Sequence, residues 1–109
     1  MQISVSSHES IPVLSIKGDL DIASAPGFET AVIEHSDVYR SPLMLDLSEC
    51  SFIDSGGLNV LLQTIRHLDD SAWLGVAGAN GNLLRVFEIV GLTSIPRFRV
   101  LEDLCAFSG

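Results

Sequence analysis

The segment FIDSGGLNV, residues 52–60, places a serine hydroxyl between a carboxylate and two glycines. Ser55 follows an apolar run and precedes a helical pattern, so its side chain is expected at the N-terminus of a helix, among unpaired amide groups. The positive end of the helix dipole favours an anion there, so a phosphate on Ser55 would be accommodated without unfolding the domain. Gly56 and Gly57 would leave room for another protein to approach closely. The alternative is that Ser55 is an ordinary N-cap and that the glycines form a tight turn.

Two further carboxylates, Asp19 and Asp21, lie in the segment GDLDIASAP. They are either solvated loop acids or hydrogen-bond acceptors on the same side of the molecule as Ser55. Ligand-facing groups collect at the carboxyl ends of strands in folds that alternate strands and helices, and both segments are expected at such ends. The residues by themselves leave the two alternatives open.

Other kinds of chemistry have weaker support in the residues. A hydrolase would need a base beside Ser55, but the sequence lacks a nucleophile elbow such as GxSxG. The candidate bases are three scattered histidines, His8, His35 and His67. Histidines and cysteines also lack the paired spacing of a zinc site. We therefore predict no enzyme activity, no metal and no cofactor, and we expect Cys50 and Cys105 to be reduced and buried, with a redox pair as the alternative.

Composition and charge limit the class of protein. The 109 residues are expected to form one domain, 1–109, and fourteen acidic against six basic residues give a net charge of -8. Nucleic-acid affinity comes largely from cationic contacts, so we expect no direct nucleic-acid contact and instead a basic protein partner. The longest apolar stretches, such as 58–62, fall short of the ~20 residues of a membrane span, and residues 1–11 lack the features of a signal peptide. The expected location is the cytoplasm.

Strands and helices alternate along the chain and must position these residues. The alternation from Gln2 to Ser7 predicts an edge strand, and IPVLSIKGDL predicts a second strand that ends at Lys17 and Gly18. The two strands are expected to form a hairpin across the segment HES. Ser24 is the expected N-cap of a first helix, with Pro26 in its first turn. The apolar run Leu43 to Leu47 predicts a central strand that is covered on both faces.

A second helix is expected from Ser55 to about Leu68. Its core-facing residues recur at i, i+3, i+4 and i+7, namely Leu58, Leu61, Leu62 and Ile65. Further on, AWLGVAG predicts a buried strand, and NGNLLRVFEIVGL a third helix that Asn80 caps and Gly91 ends. The segment SIPRFRV predicts a short edge strand and LEDLCAF a final helical turn or two. This order predicts a mixed sheet of four or five strands with right-handed crossovers.

Three segments together resemble a known family. GDLDIASAP resembles the GELD segment of STAS domains, specifically the bacterial anti-sigma factor antagonists, and LDLSECSFIDSGGLNVLL resembles their strand followed by DSSGL. RVFEIVGLTSIPRF is similar to the family's third helix, Gly-Leu stop and last strand. The likeness spans nearly the whole chain in the right order. It implies an α/β fold, a single STAS-like domain whose mixed four- to five-stranded β-sheet carries about four helices, packed mainly on one side.

The same resemblance implies a function without catalysis. An anti-sigma factor antagonist binds an anti-sigma factor that is also a serine kinase, and thereby frees a sigma factor. The kinase phosphorylates the serine after the motif aspartate, here Ser55, the phosphorylated form is released, and a serine phosphatase resets it. The residues implied in partner binding are Asp19, Asp21, Ser24, Asp54, Gly56, Gly57, Leu58 and Asn59.

The sequence departs from the family pattern at two positions. The family's second Ser or Thr is Gly56 here, which removes a hydroxyl that could cap the helix or brace the loop. The family's usual Glu is Asp19, a milder change. An alternative within the same family is a STAS subunit of a membrane lipid-transport complex or a stressosome-like scaffold, which would keep the fold and bind a different partner.

Overall fold

The computed structural model describes residues 1–35 and 40–101. Within these ranges the chain forms five strands, three α-helices and one short 3₁₀ helix. In chain order they are β1 (Gln2–His8), β2 (Ile11–Leu20), α1 (Ala25–His35), β3 (Leu43–Ile53), α2 (Ser55–Arg66), β4 (Leu74–Ala77), α3 (Gly81–Ile89), the 3₁₀ helix (Leu92–Ser94) and β5 (Phe98–Leu101). None of the helices described is long and apolar enough to cross a membrane.

The five strands form one mixed sheet in the order β1-β2-β3-β4-β5. β1 runs antiparallel to β2, and the other neighbours are parallel. The hairpin between β1 and β2 turns at Glu9 and Ser10, whose φ angles are 51° and 70°. Two successive residues with positive φ are typical of the tight turns whose twist matches a hairpin. The predicted α/β fold, with its hairpin and mixed sheet, is confirmed.

Two strands are longer than predicted. β2 continues through Lys17 and Gly18 to Leu20, so the predicted strand end at those two residues is wrong. Shifts in register interrupt the pairing of β2 with β3, and Gly18, with φ at 103°, lies between them. Such bulges let a strand bend and then resume its ladder. β3 likewise extends from the predicted run to Ile53, so β2 and β3 end side by side, immediately before Asp54.

A single hydrophobic core joins the helices to the sheet. The fully buried side chains include Leu14 of β2, Leu45 of β3, Phe28 of α1, Leu61 of α2 and Phe87 of α3. Within the stripe predicted for α2, Leu61 and Ile65 are buried, while Leu58 and Leu62 are half-buried and pack against the core. All three helices therefore pack against the same sheet.

The predicted ends of α3 are confirmed. The side chain of Asn80 accepts a hydrogen bond from the amide of Leu83 at 2.9 Å, and Gly91 follows the helix with φ at 83°. The number of α-helices in the described ranges is three, against about four predicted. The predicted final helical turn lies outside the described residues, except for Leu101, which ends β5.

Candidate partner-binding and phosphorylation site

Ser55 is the first residue of α2 and is exposed. The N-cap is the preceding residue, Asp54, in an extended conformation with φ at -115° and ψ at -170°. The alternative in which Ser55 itself caps the helix is therefore wrong, because a carboxylate takes that role. The hydroxyl lies in the first turn, at the surface.

The carboxylate of Asp54 joins two segments that are far apart in the sequence. One oxygen, Oδ1, accepts the amide of Gly56 at 2.8 Å and, in a longer contact, that of Gly57 at 3.4 Å. The other oxygen, Oδ2, accepts the amide of Ile22 at 3.2 Å. The amide of Asp54 in turn donates to the carbonyl of Leu20 at 3.1 Å. Asp54 thus ties the end of β2 and the loop after it to the start of α2.

This bonding changes the expectation for an anion at the helix end. The amides of Gly56 and Gly57, which were expected to be open to a phosphate, already donate to Asp54. A phosphate on Ser55 would be a second anion beside that carboxylate. Because neighbouring like charges repel, a phosphate on Ser55 is expected to extend outward from the helix end, away from Asp54.

The loop between β2 and α1 is held by reciprocal hydrogen bonds. The amide of Ser24 donates to Oδ1 of Asp21, and the amide of Asp21 donates to Oγ of Ser24, both at 2.9 Å. The hydroxyl of Ser24 also donates to the carbonyl of Asp19 at 3.0 Å. Hydrogen bonds from the amide and hydroxyl of Ser24 hold the pKa of the Asp21 carboxyl below its usual value, so this carboxyl is ionised at neutral pH. Asp21 is therefore a hydrogen-bond acceptor, and its donor Ser24 lies in the same loop. The side chain of Asp19 is exposed.

Ser24 lies directly before α1, as predicted for an N-cap, and its carbonyl accepts the amide of Phe28 at 3.0 Å. Its side chain differs from the prediction, because the hydroxyl bonds to the carbonyl of Asp19 at the end of β2 and to Asp21 in the loop. Ser24 therefore connects α1 to the residues before it, and its side chain makes its hydrogen bonds with those residues.

The two glycines after Ser55 accommodate the protein's own backbone. A Cβ atom at Gly56 would lie 2.7 Å from Cα of Ile22, and one at Gly57 would lie 2.5 Å from the carbonyl oxygen of Leu20. Both distances are shorter than any normal contact, so only glycine fits beneath this loop. The space beside each glycine is thus filled by the protein itself, and Gly57 is buried against Leu20.

The remaining predicted residues gather at this end of the sheet. Asp19 and Asn59 are exposed, and Asp21, Asp54 and Leu58 are half-buried. Asn59 lies four residues after Ser55, which places it one turn along the same face of α2. Gly56 is half-buried beneath Ile22.

Two exposed apolar residues of this region were not predicted to take part in binding. The side chain of Ile22 is 67% exposed and that of Phe52 is 51% exposed. Phe52 pairs with Asp19 where β2 and β3 run together. Ile22 follows Asp21 in GDLDIASAP, and a large apolar residue directly after the carboxylates of this segment is the available signal for it.

The candidate bases do not meet Ser55 in the part of the chain that the structure describes. His8 pairs with Ile11 at the start of β2, at the opposite end of that strand from Leu20. His67 follows the last turn of α2, roughly 18 Å along the helix axis from Ser55 at 1.5 Å per residue. The side chain of His35 lies outside the described residues.

Cys50 is buried in the core, and burial raises the pKa of its thiol. The thiol contacts the carbonyl oxygen of Phe52 at 3.5 Å. It is therefore protonated at neutral pH and packs as a small hydrophobic group, as predicted. Cys105 lies outside the described residues. Across residues 1–35 and 40–101, no group of three or more potential ligands could hold a metal ion.

Known proteins are similar to this chain in sequence. Residues 2–104 match the family model of the STAS domain. The anti-sigma-F factor antagonist RsfB of Mycobacterium tuberculosis is 31% identical over 102 residues, covering 93% of this chain and 84% of that protein. The anti-sigma-B factor antagonist of Listeria monocytogenes is 31% identical over 88 residues, covering 80% of this chain and 77% of that protein.

A solved structure gives the same result. The crystal structure of an anti-sigma factor antagonist from Mycobacterium paratuberculosis superposes with a TM-score of 0.82 at 26% identity, covering 96% of this chain and 88% of that one. The resemblance seen in the three sequence segments is thereby confirmed over almost the full length. The chain belongs to the STAS domain family, and these relatives are named anti-sigma factor antagonists.

Proposed function

We propose that this protein is an anti-sigma factor antagonist, which binds an anti-sigma factor and thereby frees a sigma factor. The observation that carries the proposal is the exposed hydroxyl of Ser55 on the first turn of α2, beside the carboxylate that fixes the loop after β2. A phosphoacceptor must be reachable by a kinase and held in a defined place, and Ser55 meets both requirements. The names of the relatives point to the same activity.

In this proposal the anti-sigma factor is also a serine kinase, and Ser55 is its substrate. A phosphate adds roughly -1.5 to -2 charges at neutral pH. It would do so beside Asp54, on a chain that already carries a net charge of -8. The added charge and bulk would weaken binding, and a serine phosphatase would restore the binding form. The protein takes part as a binding partner and substrate, in the cytoplasm and without direct contact to nucleic acid.

The surface around Ser55 is the proposed contact with the partner. It comprises the exposed or half-buried members of the predicted set, Asp19, Asp21, Ser24, Asp54, Gly56, Leu58 and Asn59. Asp54 and Gly56 also hold the loop in place, so they support the contact as well as line it. The partner surface is expected to be basic, because the three carboxylates would otherwise meet like charge.

The test is phosphorylation by purified anti-sigma factors from the source organism, each incubated with this protein and ATP. We expect one of them to label the wild-type protein, with the phosphate mapped to Ser55 by mass spectrometry, and we expect Ser55→Ala to remain unlabelled. Ser51→Ala is the matched control, since Ser51 is also exposed and lies four residues away. A phosphate mapped to Ser51, with Ser55→Ala still labelled, would refute the assignment of the site. Binding by none of the anti-sigma factors would refute the function.

A further inference from the structure

Ile22 presents an apolar side chain between Asp54 and Gly56, the two residues that flank Ser55. It is 67% exposed, although its amide donates to Asp54 and its backbone lies over Gly56. A single exposed apolar residue is common on protein surfaces and by itself indicates nothing. What distinguishes Ile22 is that the surrounding structure fixes its position while leaving its side chain in solvent.

The loop that carries Ile22 is held before any partner arrives. Asp21 and Ser24 exchange two hydrogen bonds across it, and Asp54 holds the residue between them. Gly56 allows the backbone of Ile22 to approach the helix closely, because a Cβ atom there would lie 2.7 Å from Cα of Ile22. A contact residue that is already fixed loses little conformational entropy on binding, which favours affinity.

The charges around Ile22 restrict what can cover it. Asp21 precedes it in the chain, Asp54 bonds to its amide, and Asp19 lines the same surface cavity as Asp21. A second copy of this chain, also at -8, would bring like charges together, and an anionic lipid surface would do the same. An apolar pocket edged by Lys or Arg complements both the side chain and its acidic surroundings.

We propose that Ile22 is the apolar anchor of the interface with the anti-sigma factor, and that it inserts into a pocket edged by basic residues. The inference rests on the proposed function and names the chemistry of the partner's surface. Interface energy is commonly concentrated in a few central residues surrounded by polar ones, and Ile22 among its carboxylates has that arrangement. A phosphate on the neighbouring Ser55 would stand at the edge of the same contact, so one modification would block docking.

The test measures the affinity of the unphosphorylated protein for purified anti-sigma factors of the source organism, by calorimetry without ATP. We expect Ile22→Ser to weaken binding to the partner about tenfold or more, and Ile22→Val to stay within about threefold of the wild type. The matched control is Ile89→Ser on α3, since Ile89 is 75% exposed. α3 leads from the carboxyl end of β4 back to the amino end of β5, so its last residue lies away from Ser55. Ile89→Ser should bind as the wild type does.

A second measurement tests the basic rim. Affinity should fall as NaCl is raised from 50 mM to 500 mM, because salt screens attraction between exposed charges. If the wild type binds and Ile22→Ser binds equally tightly, this inference is overturned while the proposed function stands. An affinity that does not fall with salt would have the same consequence. Binding of no anti-sigma factor by the wild type would overturn the proposed function and this inference with it. Light scattering that shows a dimer dependent on Ile22 would assign the residue to self-association instead.

Discussion

The carboxylate of Asp54 determines the local arrangement at the scale of single residues. It caps α2 through the amides of Gly56 and Gly57, and it holds the amide of Ile22 from the loop after β2. Most N-cap residues act only on their own helix, where they stabilise by about 1 kcal/mol. Here the same group connects two segments, so the position of Ser55 depends on β2 as well as on α2.

Gly56 stands where the resemblance to the family implies a serine or threonine, and its surroundings in this structure favour glycine. The family serine or threonine would place a Cβ atom within 2.9 Å of three atoms of Ile22, two of them in the backbone. The loop must shift to admit any side chain there. The absence of a side chain at Gly56 therefore permits the contact between this loop and the helix.

The first prediction follows from that contact. Gly56→Ser should lower the free energy of unfolding by about 1 to 3 kcal/mol, the usual cost of forcing atoms into a filled space. Urea denaturation measures the change. Gly81→Ser is the matched control, because Gly81 also occupies the first turn of a helix and has no atom within 4 Å of an added Cβ. Equal stability of the two variants would show that the loop yields without cost. When the Gly56→Ser variant is phosphorylated by the anti-sigma factor, the phosphate should still map to Ser55.

At the scale of elements, the extension of β2 and β3 positions the site. β4 pairs with β3 only from Leu43 to Asp46, whereas β2 accompanies β3 to Ile53. The two strands therefore project beyond the rest of the parallel sheet before the chain turns into α2. The loop after β2 and the start of α2 meet because both follow this shared end.

The second prediction concerns the core that anchors these elements. Leu45→Ala on β3 and Leu61→Ala on α2 should each lower the free energy of unfolding by about 2 to 5 kcal/mol, because each leaves a cavity in a filled interior. The two side chains are 0% and 1% exposed. Ile89→Ala, at an exposed position, should change stability by less than about 0.5 kcal/mol. Equilibrium denaturation with changes this small for both leucine variants would contradict the placement of the core.

Local sequence predicted the hairpin, the start of α2 and the ends of α3, because each is encoded by residues close together in the chain. The end of β2 was predicted wrongly, since Lys17 and Gly18 read as a stop, while the strand continues through pairing with β3. The site shows the same division. Ser55 was expected at a helix terminus, but the contact of Ile22 with Gly56 joins residues 34 positions apart, and only the folded sheet brings them together.

At the scale of the whole molecule, affinity for the partner and stability of the fold can respond separately to phosphorylation of Ser55. The net charge is -8, and Ser55 is exposed, so an added negative group alters the surface without entering the core. Asp54 already occupies the first amides of α2, and its bonds do not involve the hydroxyl of Ser55. The folded state should therefore tolerate a charge that the partner does not.

The last prediction separates these two responses. Ser55→Asp should bind the anti-sigma factor on the order of a hundredfold more weakly, which corresponds to a loss of about 3 kcal/mol, because it adds a further carboxylate beside Asp54 at the contact. Its melting temperature should stay within about 3 °C of the wild type, while Ser55→Ala should bind persistently. Ser94→Asp adds the same charge at an exposed residue after α3, near the amino end of β5, and should leave affinity within about threefold. If Ser94→Asp weakened binding as much as Ser55→Asp, total charge would be the cause. A large fall in the melting temperature of Ser55→Asp would mean that release occurs through unfolding, because the added carboxylate would then have displaced Asp54 from the helix end.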